Sequence, residues 1–190
     1  MKITNEFEVN RPIETVWDAF QDVPSVAQCL PGASITEDKG GHVYAGAVEV
    51  KLGPMSPKFE GEAKISPDEA ARSGHIAGKG VDRSGGSRGQ VDVDYRLAES
   101  GGSTRVFVEA DIKLSGAIAQ FGRSGLVEEM SKRLIDEFVY CLHAKLDAET
   151  PQEAATIKAG EVKGFSLFLA SMTAWIGKLF KRLFNRGGNG

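Results

Sequence analysis

The stretch GQVDVDYRLAESGGSTRVFVEADIKL, residues 89–114, carries the clearest fold signal of this chain. Apolar and polar residues alternate on both sides of Gly101-Gly102, from Val91 to Leu97 and from Val106 to Leu114. A period of two predicts strands with one apolar and one solvated face, and the paired glycines predict a hairpin turn between them. We therefore expect an antiparallel sheet that is covered on one face.

Further strands and helices are predicted on both sides of this hairpin. The same alternation, interrupted by clusters of Gly, Pro, Asp and Ser, predicts strands at 2–10, 33–38, 42–52, 58–66, 72–80, 88–98 and 104–115. Pro12 and Pro24 open two short helices. A long helix over about 122–147 has an apolar stripe made of Leu126, Met130, Leu134, Phe138, Cys141 and Leu142.

A one-sided sheet and an amphipathic helix bury their apolar faces against each other. The prediction is an α+β fold in which a curved antiparallel sheet surrounds the long C-terminal helix. This arrangement resembles the helix-grip fold of the START and Bet v 1 superfamily, whose members commonly enclose an apolar cavity. Small residues on the predicted strands indicate either strong curvature alone or curvature that also leaves room for a ligand: Gly46, Gly61, Ala63, Gly78 and Gly80.

Four segments resemble one family within that superfamily. They are Leu30-Pro31-Gly32, GHVYAGAVEVKLGPMSPKFEG (41–61), Gly78-Lys79-Gly80 and AIAQFGRSGLVEEMSKRLIDEF (117–138). They are similar to the G subunits of aerobic carbon monoxide dehydrogenases, and the resemblance covers about residues 1–147. It implies a non-catalytic protein that brings a molybdenum-containing dehydrogenase to the cytoplasmic membrane. The family has no catalytic motif to transfer to this sequence.

The superfamily fold predicts an apolar cavity between the sheet and the long helix. Aromatic and sulfur-containing side chains suit such a cavity because they combine large apolar surfaces with adaptable shape. The predicted lining is Trp17, Phe20, Tyr44, Met55, Phe59, Tyr95, Phe121, Met130, Leu134 and Phe138.

Residues with catalytic or metal-binding chemistry form no recognisable motif. His42, His75 and His143 lack the spacing of metal ligands, and neither a phosphate-binding loop nor a nucleophile elbow occurs. The pairs Glu60/Glu62 and Asp92/Asp94 are interpreted as parts of a solvated outer sheet face. Neither a metal nor a covalently bound cofactor is therefore expected. Cys29 and Cys141 are interpreted as two buried thiols in a reducing compartment.

Charge is unevenly distributed along the chain. Residues 1–155 carry 17 Lys and Arg against 25 Asp and Glu, whereas residues 156–190 carry six cations and one acid. An acidic body argues against nucleic-acid binding, and a basic, apolar end suits an anionic lipid surface. We expect a ligand-binding domain at 1–147, a flexible linker at 148–163 and a tail at 164–190. MKITNEFEVNRP lacks an apolar leader, so we expect a location at the cytoplasmic face of the cell membrane.

The tail, residues 164–190, has the pattern of an amphipathic helix. Its uncharged run, 164–177, has 14 residues, whereas a membrane span needs about 20, so we favour a helix lying in the membrane plane over one that crosses it. Docking on a protein groove is the third interpretation. The predicted membrane-binding residues are Phe165, Phe168, Leu169, Met172, Trp175, Ile176, Leu179, Phe180, Lys181, Arg182 and Leu183.

Three functions follow from these patterns. The favoured one is an accessory protein that holds a lipophilic molecule, a menaquinone or a ubiquinone, and links the molybdenum carbon monoxide dehydrogenase to the membrane pool of electron carriers. The first alternative is a recruitment or assembly factor without a ligand. The second is an enzyme similar to the cyclases and hydrolases of the superfamily, which would need polar groups that converge inside the cavity.

Overall fold

The computed structural model describes residues 1–51, 56–123 and 126–160. Seven strands pair in one antiparallel sheet in the order β1-β7-β6-β5-β4-β3-β2. The strands are β1 (Lys2–Val9), β2 (Ala33–Asp38), β3 (Val43–Glu49), β4 (Lys58–Asp68), β5 (Ser73–Asp82), β6 (Ser87–Ser100) and β7 (Ser103–Ser115). The helices are α1 (Ile13–Gln21), α2 (Val23–Ala27), α3 (Leu126–Asp147) and α4 (Pro151–Thr156), and a 3₁₀ helix covers Gly116–Arg123.

The predicted curved sheet and long helix are confirmed. The β6–β7 hairpin pairs Tyr95 with Val108 and Val93 with Ala110, so the alternating apolar residues share one face, here called the inner face. The sheet wraps from β7 back to β1, which pairs Phe7 with Val106. The long helix begins at Leu126, a few residues later than predicted, because the AQFG segment lies in the 3₁₀ helix.

Four glycines stand opposite one another across the inner face. Gly46, Gly61, Gly80 and Gly89 are register partners on β3, β4, β5 and β6. A Cβ on Gly61 would lie 1.9 Å from the carbonyl oxygen of Lys79, because the neighbouring strand occupies the space of a side chain. The glycine row therefore permits a sharp bend of the sheet, and it includes three of the five small residues noted in the sequence, Gly46, Gly61 and Gly80.

The fully buried core occupies one end of the inner face. It joins the β6–β7 hairpin, α1 and the C-terminal half of α3 through Val9, Val16, Trp17, Cys29, Tyr95, Leu97, Val106, Phe138, Cys141 and Leu142. At its edge the guanidinium of Arg72 lies 5.4 Å from the centre of the Trp17 ring and pairs with Glu14, 2.5 Å away. This end of the domain is closed by packing.

Cys29 and Cys141 form a disulfide in the structure, so the expectation of two free thiols is wrong. Both residues are fully buried, and their Cα atoms lie 5.3 Å apart because the end of α2 packs on α3. Two apolar cysteines that are 112 residues apart give no sign of this contact in the sequence.

The folded unit extends beyond the predicted boundary at residue 147. Residues 151–156 form α4, and the compact unit spans Met1–Ala159. Lys145 in α3 donates to the Ala154 carbonyl at 2.7 Å and to Gln28 Oε1 at 3.0 Å, and the Ala159 amide donates to the Gln28 carbonyl at 2.8 Å. The prediction of a flexible linker is therefore wrong for residues 151–159, because their polar groups find partners in Lys145 of α3 and in Gln28, the residue that follows α2.

Several predicted features lie outside the described residues. These are the tail 164–190 with all its predicted membrane-binding residues, the last three linker residues, Met55, and the side chain of Phe121. Among the helices that the structure does describe, none has the length and apolar character required to cross a bilayer.

Candidate ligand-binding site

Burial of the inner face decreases along β6 and β7. Leu97 and Val106 are buried, and Tyr95 is 7 % exposed. Beyond Tyr95 the inner-face residues are only half-buried, except for Ser87 at the start of β6, which is buried: the half-buried ones are Val93, Val91, Gly89, Val108, Ala110, Ile112 and Leu114. On β3 the inner-face residue Val48 is 43 % exposed. An apolar sheet face thus remains accessible next to a closed core.

The long helix shows the same gradient. Met130, Leu134, Phe138 and Leu142 follow one another at intervals of four and therefore lie on one side of α3. Phe138 and Leu142 are buried in the core, whereas Met130 and Leu134 are half-buried. The N-terminal half of the helix and the accessible part of the sheet thus both carry half-buried apolar side chains, and the region that they border is here called the inner space.

The ten predicted cavity residues fall into three groups. Trp17, Phe20, Tyr95 and Phe138 belong to the closed core or pack against it. Tyr44, Phe59, Met130 and Leu134 are half-buried, and Tyr44 and Phe59 share the inner face with Ala63 and Gly61. Met55 and the side chain of Phe121 are not described. The structure thus places the first group at one end of the inner space and the second group along its sides.

Aromatic rings form that end wall. The ring centre of Phe20 lies 5.5 Å from that of Tyr95 and 6.3 Å from that of Phe138, and Phe138 meets Phe7 at 5.9 Å. Tilted and edge-on arrangements at these distances are favourable for aromatic pairs. The wall is therefore a packed unit that separates the core from the inner space.

The Tyr95 hydroxyl is the polar group of this wall. It lies where a side chain of Gly74 would be, because a Cβ on Gly74 would come within 2.4 Å of the hydroxyl oxygen. Burial raises the pKa of Tyr95 above its usual value, so the hydroxyl keeps its proton. Sequence reasoning placed Tyr95 in the cavity but missed Gly74, although the pairing of an aromatic residue with a glycine across two strands is a recognisable signal.

The outer face of the sheet is polar, as predicted for Glu60/Glu62 and Asp92/Asp94. His75 Nδ1 lies 2.8 Å from Asp94, and the guanidinium of Arg96 lies 4.4 Å from the centre of the Phe107 ring. Two open grooves of about 790 and 600 Å³ cross this face between rows of charged side chains. Of the eight predicted residues whose side chains are described, only Tyr95 borders either groove, and its side chain lies on the opposite face. These grooves are open depressions in a solvated, charged surface.

Within residues 1–51, 56–123 and 126–160, no three His, Cys, Asp or Glu side chains are grouped as metal ligands would be. The features that distinguish the inner space are its apolar walls and one buried hydroxyl. Such an arrangement suits binding of an apolar molecule that carries a polar head.

Comparisons with known proteins agree with this fold. The family model CoxG, described as the G subunit of carbon monoxide dehydrogenase, matches residues 6–147. A conserved protein from Geobacillus kaustophilus aligns with a TM-score of 0.68 at 16 % identity, over 77 % of this chain and 95 % of its own. A START superfamily protein from Mycobacterium smegmatis aligns with a TM-score of 0.50 at 14 % identity, over 76 % and 96 %. No curated protein sequence matches the chain. The fold is the helix-grip fold of the START and Bet v 1-like superfamily.

Proposed function

The chain belongs to the CoxG family of carbon monoxide dehydrogenase accessory proteins, and we propose that it carries a respiratory quinone for the dehydrogenase. The quinone, a menaquinone or a ubiquinone, would occupy the inner space. It would accept the electrons that carbon monoxide oxidation releases and return them to the membrane.

The accessible apolar surface of the inner space is the observation that carries the proposal. A fully collapsed helix-grip domain would bury Val91, Val93 and Met130 as completely as it buries Leu97 and Leu142. Exposed apolar area is unfavourable in water by about 25 cal/mol per Å², so a matching apolar ligand gains free energy by covering it. Quinones combine a flat ring with an apolar chain, which fits such a space.

The basic, apolar tail supports a membrane partner. Residues 164–190 combine large apolar residues with Lys178, Lys181, Arg182 and Arg186. This composition is typical of helices that lie in the interface of an anionic membrane. We place the protein at the cytoplasmic face of the cell membrane, where its tail would give the domain access to quinone dissolved in lipid.

Ligand binding is tested with the purified full chain. Solvent extraction of protein prepared in the presence of bacterial membranes is expected to yield quinone, detected by chromatography with absorbance. Ala63 lies on the inner face, and Ala77 lies exposed on the adjacent strand, paired outside with Lys64. Ala63→Phe is expected to fill the inner space and lower the quinone content, whereas Ala77→Phe is the matched control and keeps it. Wild-type protein that contains no quinone and binds none on addition refutes the proposal.

Membrane binding is tested with vesicles that contain phosphatidylglycerol. The full chain is expected to float with these vesicles, and a chain ending at Ala159 is expected to remain in solution. Lys181→Glu combined with Arg182→Glu should weaken binding and make it less dependent on salt. Flotation of the shortened chain would contradict the role given to the tail.

The ligand-free alternative makes a different prediction for the same variants. If the domain only recruits the dehydrogenase, the inner face is ordinary core and Ala63→Phe overpacks it at a cost of about 1–3 kcal/mol. The half-buried inner face favours the function of a quinone carrier over ligand-free recruitment. A stability loss in Ala63→Phe together with an empty wild-type protein would favour recruitment.

A further inference from the structure

We infer that Tyr95 is the residue that recognises the ligand's head, by donating a hydrogen bond from its hydroxyl to a carbonyl oxygen. The inference rests on the proposed function and narrows it. It assigns the carbonyl-bearing ring to the aromatic end wall and the apolar chain to the half-buried remainder of the inner space.

The first support is the missing partner of the hydroxyl. Tyr95 is only 7 % exposed, yet its hydroxyl donates no hydrogen bond to any residue that the structure describes. In that part of the chain every fully enclosed side-chain nitrogen or oxygen has a partner. The hydroxyl oxygen is therefore not fully enclosed, and it borders space in which water or the acceptor atom of a ligand can pair with it.

The second support is the room made for the hydroxyl. Gly74 stands opposite Tyr95 in the β5–β6 pair, and the Tyr95 ring lies over it. A Cβ at this position would lie 2.5 Å from the ring carbon that bears the hydroxyl, so any other residue would displace the ring. The glycine and the tyrosine thus form one unit that fixes where the hydroxyl lies.

The third support is the position of Tyr95 along the burial gradient. It is the last buried inner-face residue of β6 before the half-buried Val93 and Val91, and its ring packs against Phe20. A ring-shaped head that enters the inner space meets aromatic surface and a donor at the same place. Because burial raises the pKa of Tyr95, this donor persists at neutral pH and above.

The ligand class follows from this chemistry. An apolar molecule with a carbonyl acceptor at one end, such as a 1,4-quinone with an isoprenoid chain, satisfies the donor and covers the apolar walls. A hydrocarbon of the same shape satisfies only the walls. We therefore expect discrimination at the head of the ligand, because a site built around a buried donor disfavours molecules that leave it unpaired.

The test compares wild type, Tyr95→Phe and Tyr140→Phe as full chains. Tyr140 is 50 % exposed on α3, so its substitution makes the same chemical change on the surface. The probes are a short-chain prenylated naphthoquinone and the prenylated naphthalene that lacks both carbonyl oxygens. Tyr95→Phe is expected to raise the dissociation constant for the quinone about tenfold and to leave that for the hydrocarbon unchanged. Tyr140→Phe should match wild type for both probes.

The infrared carbonyl stretch of the bound quinone gives a second readout. A hydrogen bond lowers this frequency, so the shift seen in wild type should disappear in Tyr95→Phe. Equal quinone affinity in wild type and Tyr95→Phe overturns the inference, and so does an equal loss for both probes, which would indicate a packing role. Absence of quinone binding by wild type refutes the proposed function itself, so the two failures are distinguishable.

Discussion

Cys29, just after α2, and Cys141, in α3, form a disulfide within the same buried cluster as Phe138 and Leu142. The bond therefore ties the segment before β2 to the half of α3 that packs against the sheet. The disulfide does not hold the other half of α3, which borders the inner space.

Reduction of this disulfide should lower the free energy of unfolding. The bond closes a loop across 112 residues, and constraints on such long loops in the unfolded chain contribute about 2–5 kcal/mol. Urea unfolding of wild type with and without a reducing agent measures the difference. Cys29→Ala combined with Cys141→Ala should unfold at one midpoint under both conditions. Identical midpoints for oxidised and reduced wild type would contradict the structural role of the bond.

Residues 148–159 should be required for full stability. A chain that ends at Ala159 keeps the contacts of Lys145 with Gln28 and Ala154, whereas a chain that ends at Asp147 loses the Ala154 carbonyl and the Ala159–Gln28 hydrogen bond. Lys145 is 9 % exposed, and burial already lowers its pKa. We expect the shorter chain to be less stable by about 1–3 kcal/mol, measured by urea unfolding, because a buried charged donor loses a partner. Equal midpoints for both chains would show that α4 is dispensable.

The glycine row should tolerate substitution unequally. Gly61→Ala places a Cβ 1.9 Å from a backbone oxygen of β5, so strands β4 and β5 must separate. Gly89→Ala meets its nearest atoms, in Leu114 and Phe59, at 3.7 Å, which is ordinary contact. Gly61→Ala is expected to lower stability by about 2 kcal/mol or more, as overpacking and strain do, and Gly89→Ala by less than about 1 kcal/mol. Thermal unfolding of both variants measures the two stability losses. A larger loss for Gly89→Ala than for Gly61→Ala would contradict the role of the glycine row in bending the sheet.

The fold was predictable because its signals are local. Alternation around Gly101-Gly102 and the stripe from Met130 to Leu142 each define an apolar face without reference to the rest of the chain. The disulfide and the docking of α4 were missed because they depend on residues brought together by the fold. Gln28, Lys145 and Ala159 carry no pattern that distinguishes them from solvated residues.

The candidate site was predictable in composition only. An aromatic and methionine-rich set was expected, but the sequence does not separate Phe138, which is buried, from Met130, which is half-buried, since both occupy the same stripe. That division depends on where the sheet bends away from the helix. The bend in turn depends on register across four strands, which places four glycines in one row.

Alkaline pH should reveal the burial of Tyr95. Its folded-state pKa is raised above the ordinary 10.0 because burial disfavours the phenolate. The unfolded chain therefore loses this proton first, and stability present below pH 10 is lost as the pH rises through the folded-state pKa. As the pH rises above 9, the free energy of unfolding of wild type should fall relative to that of Tyr95→Phe. Urea unfolding of both proteins measures this difference. A difference that is independent of pH would contradict the assigned burial.

The hydrogen bond between Ala159 and Gln28 also joins the end of the compact unit to the residue next to Cys29. The disulfide, the last turn of α3 and this end of the unit therefore share one small region of the fold. A spectroscopic label attached at Ala159 would sense directly whether the Cys29–Cys141 bond is oxidised or reduced.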